Sequence, residues 1–376
     1  MKKILIKHNL FFMLAMGLIL GGSFPLPGRK LAKIYIGGWP FLSTLCVSFM
    51  FLISGLYIKL DDLKRAFEAW KEAVFGIISI LLLTPFLGLV PLHLDFLKTE
   101  FGIGFALFCC MPTTLATGIA MVNNANGNTT LALVITVVSN LLGILTVPFA
   151  VSLLLSATNN IEISPIPLLL KLLTSILVPL LLGKFFQEAS GNVRRLAFIN
   201  AFTRQHQFKF KFFSNFCLVT VPWMKISQAS SSLKTVSFIE TASCLVIAIA
   251  LHLLMLLWHA SILFTVKSNK KSPTEFRAVL FVASQKTLLF AVTVISFLNE
   301  DEVGELGLIT IPCILMHFSQ AMIDAPISSY LGKYSKTEEQ CMIECQQQEK
   351  TSDIEAPGSA PVVAATVGVE NKASHQ

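Results

Sequence analysis

The sequence predicts an all-α membrane protein whose ten transmembrane helices form two inverted repeats of five. Three observations lead to this fold class. The 376 residues are 54% hydrophobic and only 14% charged, whereas ordinary soluble domains are about 25% charged. The hydrophobic residues extend along almost the whole chain, and polar residues interrupt a hydrophobic stretch at matching places in the two halves. This composition excludes a soluble enzyme, a disordered protein and a collagen-like protein.

Ten hydrophobic stretches approach the roughly 20 residues that a helix needs to cross the hydrocarbon core. They are residues 9–27, 37–58, 73–92, 101–122, 131–155, 166–186, 212–226, 236–264, 276–298 and 305–331. The seventh is the weakest, because it is short and contains Pro222. The ten-helix domain therefore covers 9–336, with repeat one at about 9–155 and repeat two at about 166–331. A short segment, 1–8, precedes it, and a polar tail, 337–376, follows it and is expected to be disordered.

The basic residues predict the orientation in the membrane. If the ten spans alternate, most lysines and arginines fall on the side of the N-terminus, as the positive-inside rule requires of cytoplasmic segments. The net charge of +7 is therefore read as a topological signal. The densest basic segment, 187–211, is expected to be a loop or an interfacial helix. No small-residue cleavage site follows the first stretch and no transit peptide precedes it, so we expect a first transmembrane helix rather than a cleaved signal peptide.

Polar residues at bilayer depth are costly and are the first candidates for function. The fourth stretch contains Pro112, which removes a backbone donor, beside threonines that could bind a ligand at the resulting break: Thr113, Thr114 and Thr117. A simple proline kink explains the same pattern. Asn128 lies in the asparagine-rich turn that follows, which is either part of a substrate gate or a plain connection.

The fifth stretch carries a second polar group, formed by Thr136, Ser139 and Asn140. Thr136 and Asn140 are four residues apart and share a helix face. Their oxygens could bind one group, or the side chains could make hydrogen bonds between helices.

The ninth stretch contains a lysine close to the membrane midplane, within Ser284-Gln285-Lys286-Thr287. A lysine at this depth costs about 2.5–3.5 kcal/mol on insertion scales. Lys286 therefore either faces water and substrate or ties helices together as a structural cation. Its candidate partners are Glu240, Gln320 and Asp324. Interrupted helices at the fourth position of both halves are typical of inverted-repeat transporters that bind substrate near the midplane.

Several segments resemble the bile acid:sodium symporter family: 51–60, Cys110–Thr114, Gly127–Asn128, Ser139–Pro148 and Ser284–Thr287. The resemblance covers nearly all of residues 8–335 and is nearest to the branch that joins the human type seven and the plant plastidic type four members. It implies a panel domain made of spans 1, 2, 6 and 7. The other six spans would form a core in which the unwound helices four and nine cross, and substrate would bind between panel and core.

The resemblance also implies two sodium ions, held with the help of a glutamate on helix nine and a glutamine four residues later. By register, the glutamate position is Phe281 here, the glutamine is Gln285, and the asparagine that follows is replaced by Lys286. At 5 Å and an effective dielectric constant near 20, a fixed cation repels a sodium ion by about 3 kcal/mol. That exceeds the roughly 1 kcal/mol of a typical hydrogen bond. Sodium is thus a candidate ligand that the pattern argues against, and Lys286 is expected to replace it; no other metal or cofactor is expected.

The sequence therefore predicts a secondary transporter, not an enzyme, that moves a small organic anion or metabolite by alternating access. The alternative is a non-transporting membrane regulator, for example of calcium entry or lipid handling. The expected partners are the substrate and the lipid bilayer, without nucleic acid. Resemblance to the plastidic members suggests the chloroplast envelope; the plasma membrane and the endomembranes are the other locations.

Overall fold

The computed structural model describes residues 9–57, 69–114, 117–159, 161, 163–192, 202–203, 205–266 and 273–355. Within these residues the regular structure is helical except for one hairpin, in which β1 (Tyr35–Ile36) pairs antiparallel with β2 (Trp39–Pro40). The predicted segment 1–8 and parts of the basic segment and the tail lie outside the described residues.

Each of the ten predicted stretches coincides with a helix or an interrupted helix. In the first half these are α1 (Asn9–Ser23) with α2 (Pro25–Ala32), α3 (Phe41–Tyr57), α4 (Trp70–Ile78) continuing to α5 (Leu89–Leu92), α6 (Thr99–Cys110) with α7 (Thr117–Asn124), and α8 (Thr129–Asn159). In the second half they are α9 (Pro165–Leu172) continuing to α10 (Val178–Asn192), α11 (Gln207–Gln228) with α12 (Ser230–Leu233), α13 (Phe238–Val266), α14 (Pro273–Ser284) with α15 (Leu288–Phe297), and, after α16 (Glu300–Val303), α17 (Leu306–Glu355).

Six of these helical segments are long and apolar enough to cross a membrane. They are Trp70–Leu92, Thr129–Ala157, Pro165–Ser190, Phe238–Ile262, Pro273–Phe297 and Leu306–Ser335; Phe12–Ser23, Phe41–Tyr57 and Thr99–Cys110 are shorter apolar helices. Their burial differs sharply: 94% of the most apolar 18-residue stretch of Pro273–Phe297 is buried inside the protein, against 33% of the corresponding stretch of Phe238–Ile262. The interrupted ninth stretch is therefore central, while the eighth presents most of its apolar surface outward, as a lipid-facing helix does.

Several helices are longer than the sequence predicted, α11 and α17 among them. α11 begins at Gln207, inside the basic segment, and contains Pro222 without ending there. α17 continues to Glu355, so residues 337–355 are helical where a disordered tail was predicted. No glycine or proline lies between Gly332 and Pro357, and this part of the chain is rich in Glu, Gln and Lys, which favour helices.

The third predicted stretch is not a regular α-helix. After α4 it forms a π-helical turn, Ser79–Leu83, and then a 3₁₀ turn, Thr84–Gly88. In the π-helical turn the N–H of Thr84 bonds to the carbonyl of Ser79, five residues back. The next N–H in this series would come from residue 85, which is proline and has none. The carbonyl of Ile80 is therefore left available to side chains.

Candidate functional site

The two interrupted helices meet at their breaks. α6 ends at Cys110 and α7 begins at Thr117, while α14 ends at Ser284 and α15 begins at Leu288. The N–H of Thr287 donates to the carbonyl of Pro112 at 2.9 Å, which joins one break to the other. We call residues Met111–Thr114 and Gln285–Thr287 the crossing. Because helix geometry is absent there, backbone groups of both segments can bind side chains or a ligand.

Lys286 is fully buried at the crossing, and its ammonium has three hydrogen-bond acceptors. Nζ donates to the carbonyl of Ile80 at 2.8 Å, to Oγ1 of Thr84 at 2.6 Å and to the carbonyl of Met111 at 2.8 Å. An ammonium has three N–H donors, so every donor of Lys286 is used. The side chain thus fastens the break of the ninth stretch to the third and fourth stretches.

The sequence explains why two of these acceptors are carbonyls. Ile80 lacks its helical partner because of Pro85. Met111 follows the last residue of α6 and has an extended ψ of 149°, so its carbonyl points out of the helical ladder. Each carbonyl that binds the lysine is thus associated with a proline: Pro112 directly follows Met111, and Pro85 lies five residues after Ile80, where its missing N–H leaves that carbonyl free.

The backbone of Lys286 is held by a neighbouring glutamine on α17. The N–H of Lys286 donates to Oε1 of Gln320 at 2.9 Å, and Nε2 of Gln320 donates to the carbonyl of Lys286 at 2.7 Å. This pair of hydrogen bonds replaces the helical bonds that the break has lost.

A second buried network starts from the residue beside Lys286. Nε2 of Gln285 donates to Oδ2 of Asp324 at 2.6 Å, and Oδ1 of Asp324 lies 2.8 Å from Nε2 of His252 on α13. On the other side of the amide, the hydroxyl of Thr117 donates to Oε1 of Gln285 at 3.1 Å. The network links α13, α17 and both interrupted helices. Through it the fully buried carboxylate of Asp324 is bonded to Gln285, the residue that precedes the buried lysine in the chain.

Of the three predicted partners, none accepts a hydrogen bond from the ammonium of Lys286. Gln320 binds its backbone, and Asp324 is connected to it only through the neighbouring Gln285. Glu240 was wrong as a candidate, since its carboxylate lies 3.7 Å from Lys98 and accepts from the N–H of Ser237, at the start of α13. The helix α13 begins at Phe238, so Glu240 belongs to its first turn, near the end of the bundle rather than at its centre.

The polar residues of the fifth stretch and the turn before it bond to the protein itself. Nδ2 of Asn140 donates to the carbonyl of Thr113 at 2.9 Å, which tethers α8 to the crossing. The hydroxyls of Thr136 and Ser139 donate to carbonyls of their own helix. Oδ1 of Asn128 accepts from the N–H of Leu131 and caps α8. The hydroxyl of Ser284 likewise donates to a carbonyl of its own helix, that of Leu280. Among these side chains Asn140 makes the predicted bond to another part of the bundle, and a role of the others in binding a ligand stays a prediction.

A cavity of about 400 Å³ reaches the crossing from one end of the bundle. Three of the predicted site residues line it: Thr114, Thr117 and Thr287. The opposite wall comes from α1, α3 and α11, and includes Leu10, Ser54, Tyr57, Gln207, Lys211, Ser214 and Asn215. α7 and α15 both begin at the floor of the cavity, so their partly positive amino ends lie close to it.

Sequence reasoning missed the residues that accept hydrogen bonds from Lys286 and those of the opposite cavity wall. Ile80 and Met111 act through their carbonyls, which side-chain type does not predict. The signal in the sequence was the two prolines that disturb the backbone there, Pro85 and Pro112. Thr84 was hidden within an apolar stretch. Lys211 was counted among the basic residues that orient the protein. No group of three or more His, Cys, Asp or Glu side chains is placed to bind a metal ion in the described part of the chain.

Comparison with known proteins agrees with this architecture. The chain matches the SBF-like CPA transporter family (DUF4137) over residues 8–333. It is 36% identical over 288 residues to a rice (Oryza sativa subsp. indica) protein named "Probable sodium/metabolite cotransporter BASS4, chloroplastic", a region that is 75% of this chain and 66% of the relative. It is 38% identical over 280 residues to the Arabidopsis thaliana protein of the same name, a region that is 73% of this chain and 63% of the relative. The match thus spans slightly less than two thirds of these relatives.

The family match and the membrane-crossing helices lead to the same conclusion. The six long apolar helices make this an integral membrane protein, and the resemblance seen in the sequence is confirmed by the match over residues 8–333. The chain belongs to the SBF-like CPA transporter family.

Proposed function

We propose that this protein is a secondary transporter that moves a small organic anion or metabolite across the membrane by alternating access. The observation that carries the proposal is the cavity of about 400 Å³, because its wall combines the breaks of both interrupted helices with a separate group of helices. Substrate sites of inverted-repeat transporters lie at such a boundary, near broken helices at the midplane.

The proposal divides ten transmembrane spans into a panel and a core. The panel would contain α1, α3, α9 with α10, and α11; the core would contain the remaining spans, including the crossing. The cavity opens between them at the end of the bundle where Leu10, Tyr57 and Gln207 lie. At the other end the two parts are in contact. The ring of Trp39 packs edge-on against Phe297 at 5.6 Å, and Nζ of Lys171 donates to the carbonyl of Phe297 at 3.4 Å.

We infer that this conformation is open to the side of the N-terminus and closed to the other. Transport would require the contacts of Phe297 to separate while the cavity closes. Because the crossing is tied together by Lys286, Gln320 and Asp324, it would move as one body.

An anion suits the floor of the cavity. The amino ends of α7 and α15 attract negative charge, and the hydroxyls of Thr114, Thr117 and Thr287 can donate hydrogen bonds there. No acidic side chain lines the cavity within the described residues. A cationic substrate would therefore find no counter-charge among those residues.

Lys286 would take the place of a coupling sodium ion. The ring of Phe281, fully buried in an apolar cluster, offers no oxygen ligand. The ammonium of Lys286 already occupies carbonyl and hydroxyl oxygens of the kind that sodium binds. Since the similar rice and Arabidopsis proteins are named chloroplastic, we further propose the chloroplast envelope as the location, which a fluorescent fusion of the full-length chain would test.

Uptake into proteoliposomes tests the proposal. A library of small organic anions would be screened with and without gradients of Na⁺ and pH, first on the native protein and then on Lys286→Ala, Thr114→Ala and Gln285→Ala. We expect uptake without a Na⁺ gradient, and its loss in the variants that remain folded. Thr174→Ala is a matched control, because that exposed hydroxyl bonds only to carbonyls of its own helix.

Two results would contradict the proposal in different ways. Uptake that collapses without a Na⁺ gradient would refute the replacement of sodium by Lys286. If no anion is taken up, and if the three substitutions leave the activity of the protein in cells unchanged, a membrane regulator would be favoured.

A further inference from the structure

Lys211 is the charged side chain of the cavity wall among the residues that the structure describes. It lies in the second turn of α11, and the wall residues of this helix are Gln207, Lys211, Ser214, Asn215 and Leu218. Their spacing of i, i+4, i+7, i+8 and i+11 defines one face of a helix. Lys211 is thus on the polar half of the face that α11 turns toward the cavity.

Among the residues that the structure describes, no carboxylate compensates the charge of Lys211 in the cavity wall. No acidic side chain of the described residues lines the cavity, and none of them forms an ion pair with Lys211. At the floor of the same cavity, the amino ends of α7 and α15 add partial positive charge. The described wall therefore carries positive charge at Lys211 and partial positive charge at the floor, and a cleft with low-dielectric walls concentrates such a field.

Lys209 is the matched comparison for Lys211. Both lysines are exposed on the same helix, two residues apart, but Lys209 is absent from the cavity wall. Two residues correspond to about 200° around a helix, so Lys209 lies on nearly the opposite side. Its charge suits the orientation of the protein in the membrane, whereas that of Lys211 faces the cavity.

We propose that Lys211 is a selectivity residue of this cavity, which draws the anionic group of an organic substrate past the mouth and repels cations. This inference rests on the proposed function for the statement that the cavity receives a substrate. The electrostatic role itself depends only on the position of Lys211 in the wall.

Charged thiol reagents measure that role without knowledge of the substrate. Ser54 lies in the wall on α3, and its hydroxyl bonds only to the carbonyl of Met50, so Ser54→Cys is a conservative reporter. In full-length protein in proteoliposomes, its modification would be followed by site-resolved mass spectrometry. The reagents are sulfonatoethyl methanethiosulfonate, an anion, and trimethylammonioethyl methanethiosulfonate, a cation. The six described native cysteines are buried, and Ser214→Cys provides a second reporter.

We expect the anionic reagent to react faster relative to the cationic one than it does with a free thiol. Lys211→Ala should lower this rate ratio by roughly threefold to tenfold, since a unit charge about 10 Å away changes each rate by about twofold or more in a water-like medium. Lys211→Glu should lower the ratio further, and Lys209→Ala should leave it unchanged. With a transported anion, Lys211→Ala should raise KM and leave the maximal rate nearly constant.

An unchanged ratio in Lys211→Ala, or an equal fall in Lys209→Ala, would overturn the assignment. Failure of the proposed function has a different signature. If no organic anion is taken up, the transporter proposal falls, while the reagent ratio is still measured and decides the role of Lys211 by itself.

Discussion

Nζ of Lys286 lies 2.6 Å from Oγ1 of Thr84, and the hydroxyl of Thr84 in turn donates to the carbonyl of Ile80 at 2.8 Å. The same carbonyl accepts directly from Nζ. Lysine, hydroxyl and carbonyl therefore form a closed set of hydrogen bonds, made available by the missing N–H of Pro85. The distorted segment of the third stretch thus supplies acceptors for the lysine at the break of the ninth stretch.

Thr84→Val tests how much that hydroxyl contributes to stability, because valine keeps the shape of threonine and lacks the oxygen that accepts from Lys286. A hydrogen bond to a charged group contributes about 1.5–3 kcal/mol, so we expect the free energy of unfolding to fall by about 1–3 kcal/mol. Thermal unfolding of the purified protein would measure the change. Thr310→Val is the matched control, since this buried hydroxyl donates only to the carbonyl of Leu306 in its own helix. Equal shifts in both variants would contradict a special role for Thr84.

The contact between Thr84 and Lys286 also predicts non-additivity. Lys286→Met removes the charge, and the relief of desolvation opposes the loss of three hydrogen bonds. Whether Lys286→Met raises or lowers the free energy of unfolding is thus less informative than how far its effect depends on Thr84→Val. We expect Thr84→Val to cost about 1–2 kcal/mol less in the Lys286→Met background, as is found for residues in contact. Additive effects on unfolding would show that the two side chains do not interact.

The carboxylate of Asp324 accepts from two neighbours, so Asp324→Asn should be destabilising despite its nearly equal size. An amide has one oxygen and one NH₂ group, and it can accept from Gln285 or from His252 but meets the other with a donor. We expect a loss of about 2–4 kcal/mol in the free energy of unfolding, because a buried donor is left unpaired. Asp301→Asn, at an exposed position in α16, is the control and should have little effect. Unchanged thermal stability in Asp324→Asn would contradict the network.

Gly183 allows α10 to pack directly on α3. A side-chain carbon at Gly183 would collide with the carbonyl of Leu52 and approach the Cα of Gly55. Small residues at such contacts let transmembrane helices approach closely. Gly183→Val should therefore destabilise the protein by several times the effect of Gly22→Val, because no atom lies within 4 Å of the position a side-chain carbon would take at Gly22. Folded yield and thermal unfolding would compare the two, and similar losses would refute this packing argument.

Six of the ten predicted spans are helices long and apolar enough to cross a membrane, and the sequence could predict them because span position depends on local hydropathy. It also located both breaks, since Pro112 and Lys286 are residues that a continuous apolar helix does not favour. It could not identify what binds Lys286, because Ile80 and Met111 contribute carbonyls and only the packing of the third stretch against the crossing selects them. Asn128 and Thr136 make hydrogen bonds within their own helix. In sequence such side chains look the same as side chains that bind a ligand, so their role in binding stays a prediction.

A designed pair of substitutions tests directly whether Lys286 stands where a sodium ion would bind. Phe281→Glu with Lys286→Asn restores a carboxylate and removes the fixed cation, while Gln285 is kept. We expect this double variant to unfold at a higher temperature in NaCl than in choline chloride. A ligand present at ten times its dissociation constant stabilises the folded state by about 1.4 kcal/mol. The wild-type protein should show no such difference, because its ammonium already holds the oxygens of Ile80, Thr84 and Met111. Each single variant is a control: Phe281→Glu retains the repelling lysine, and Lys286→Asn lacks the carboxylate. Stabilisation of the wild-type protein by Na⁺ would refute the replacement, since a fixed cation at about 5 Å opposes sodium by about 3 kcal/mol.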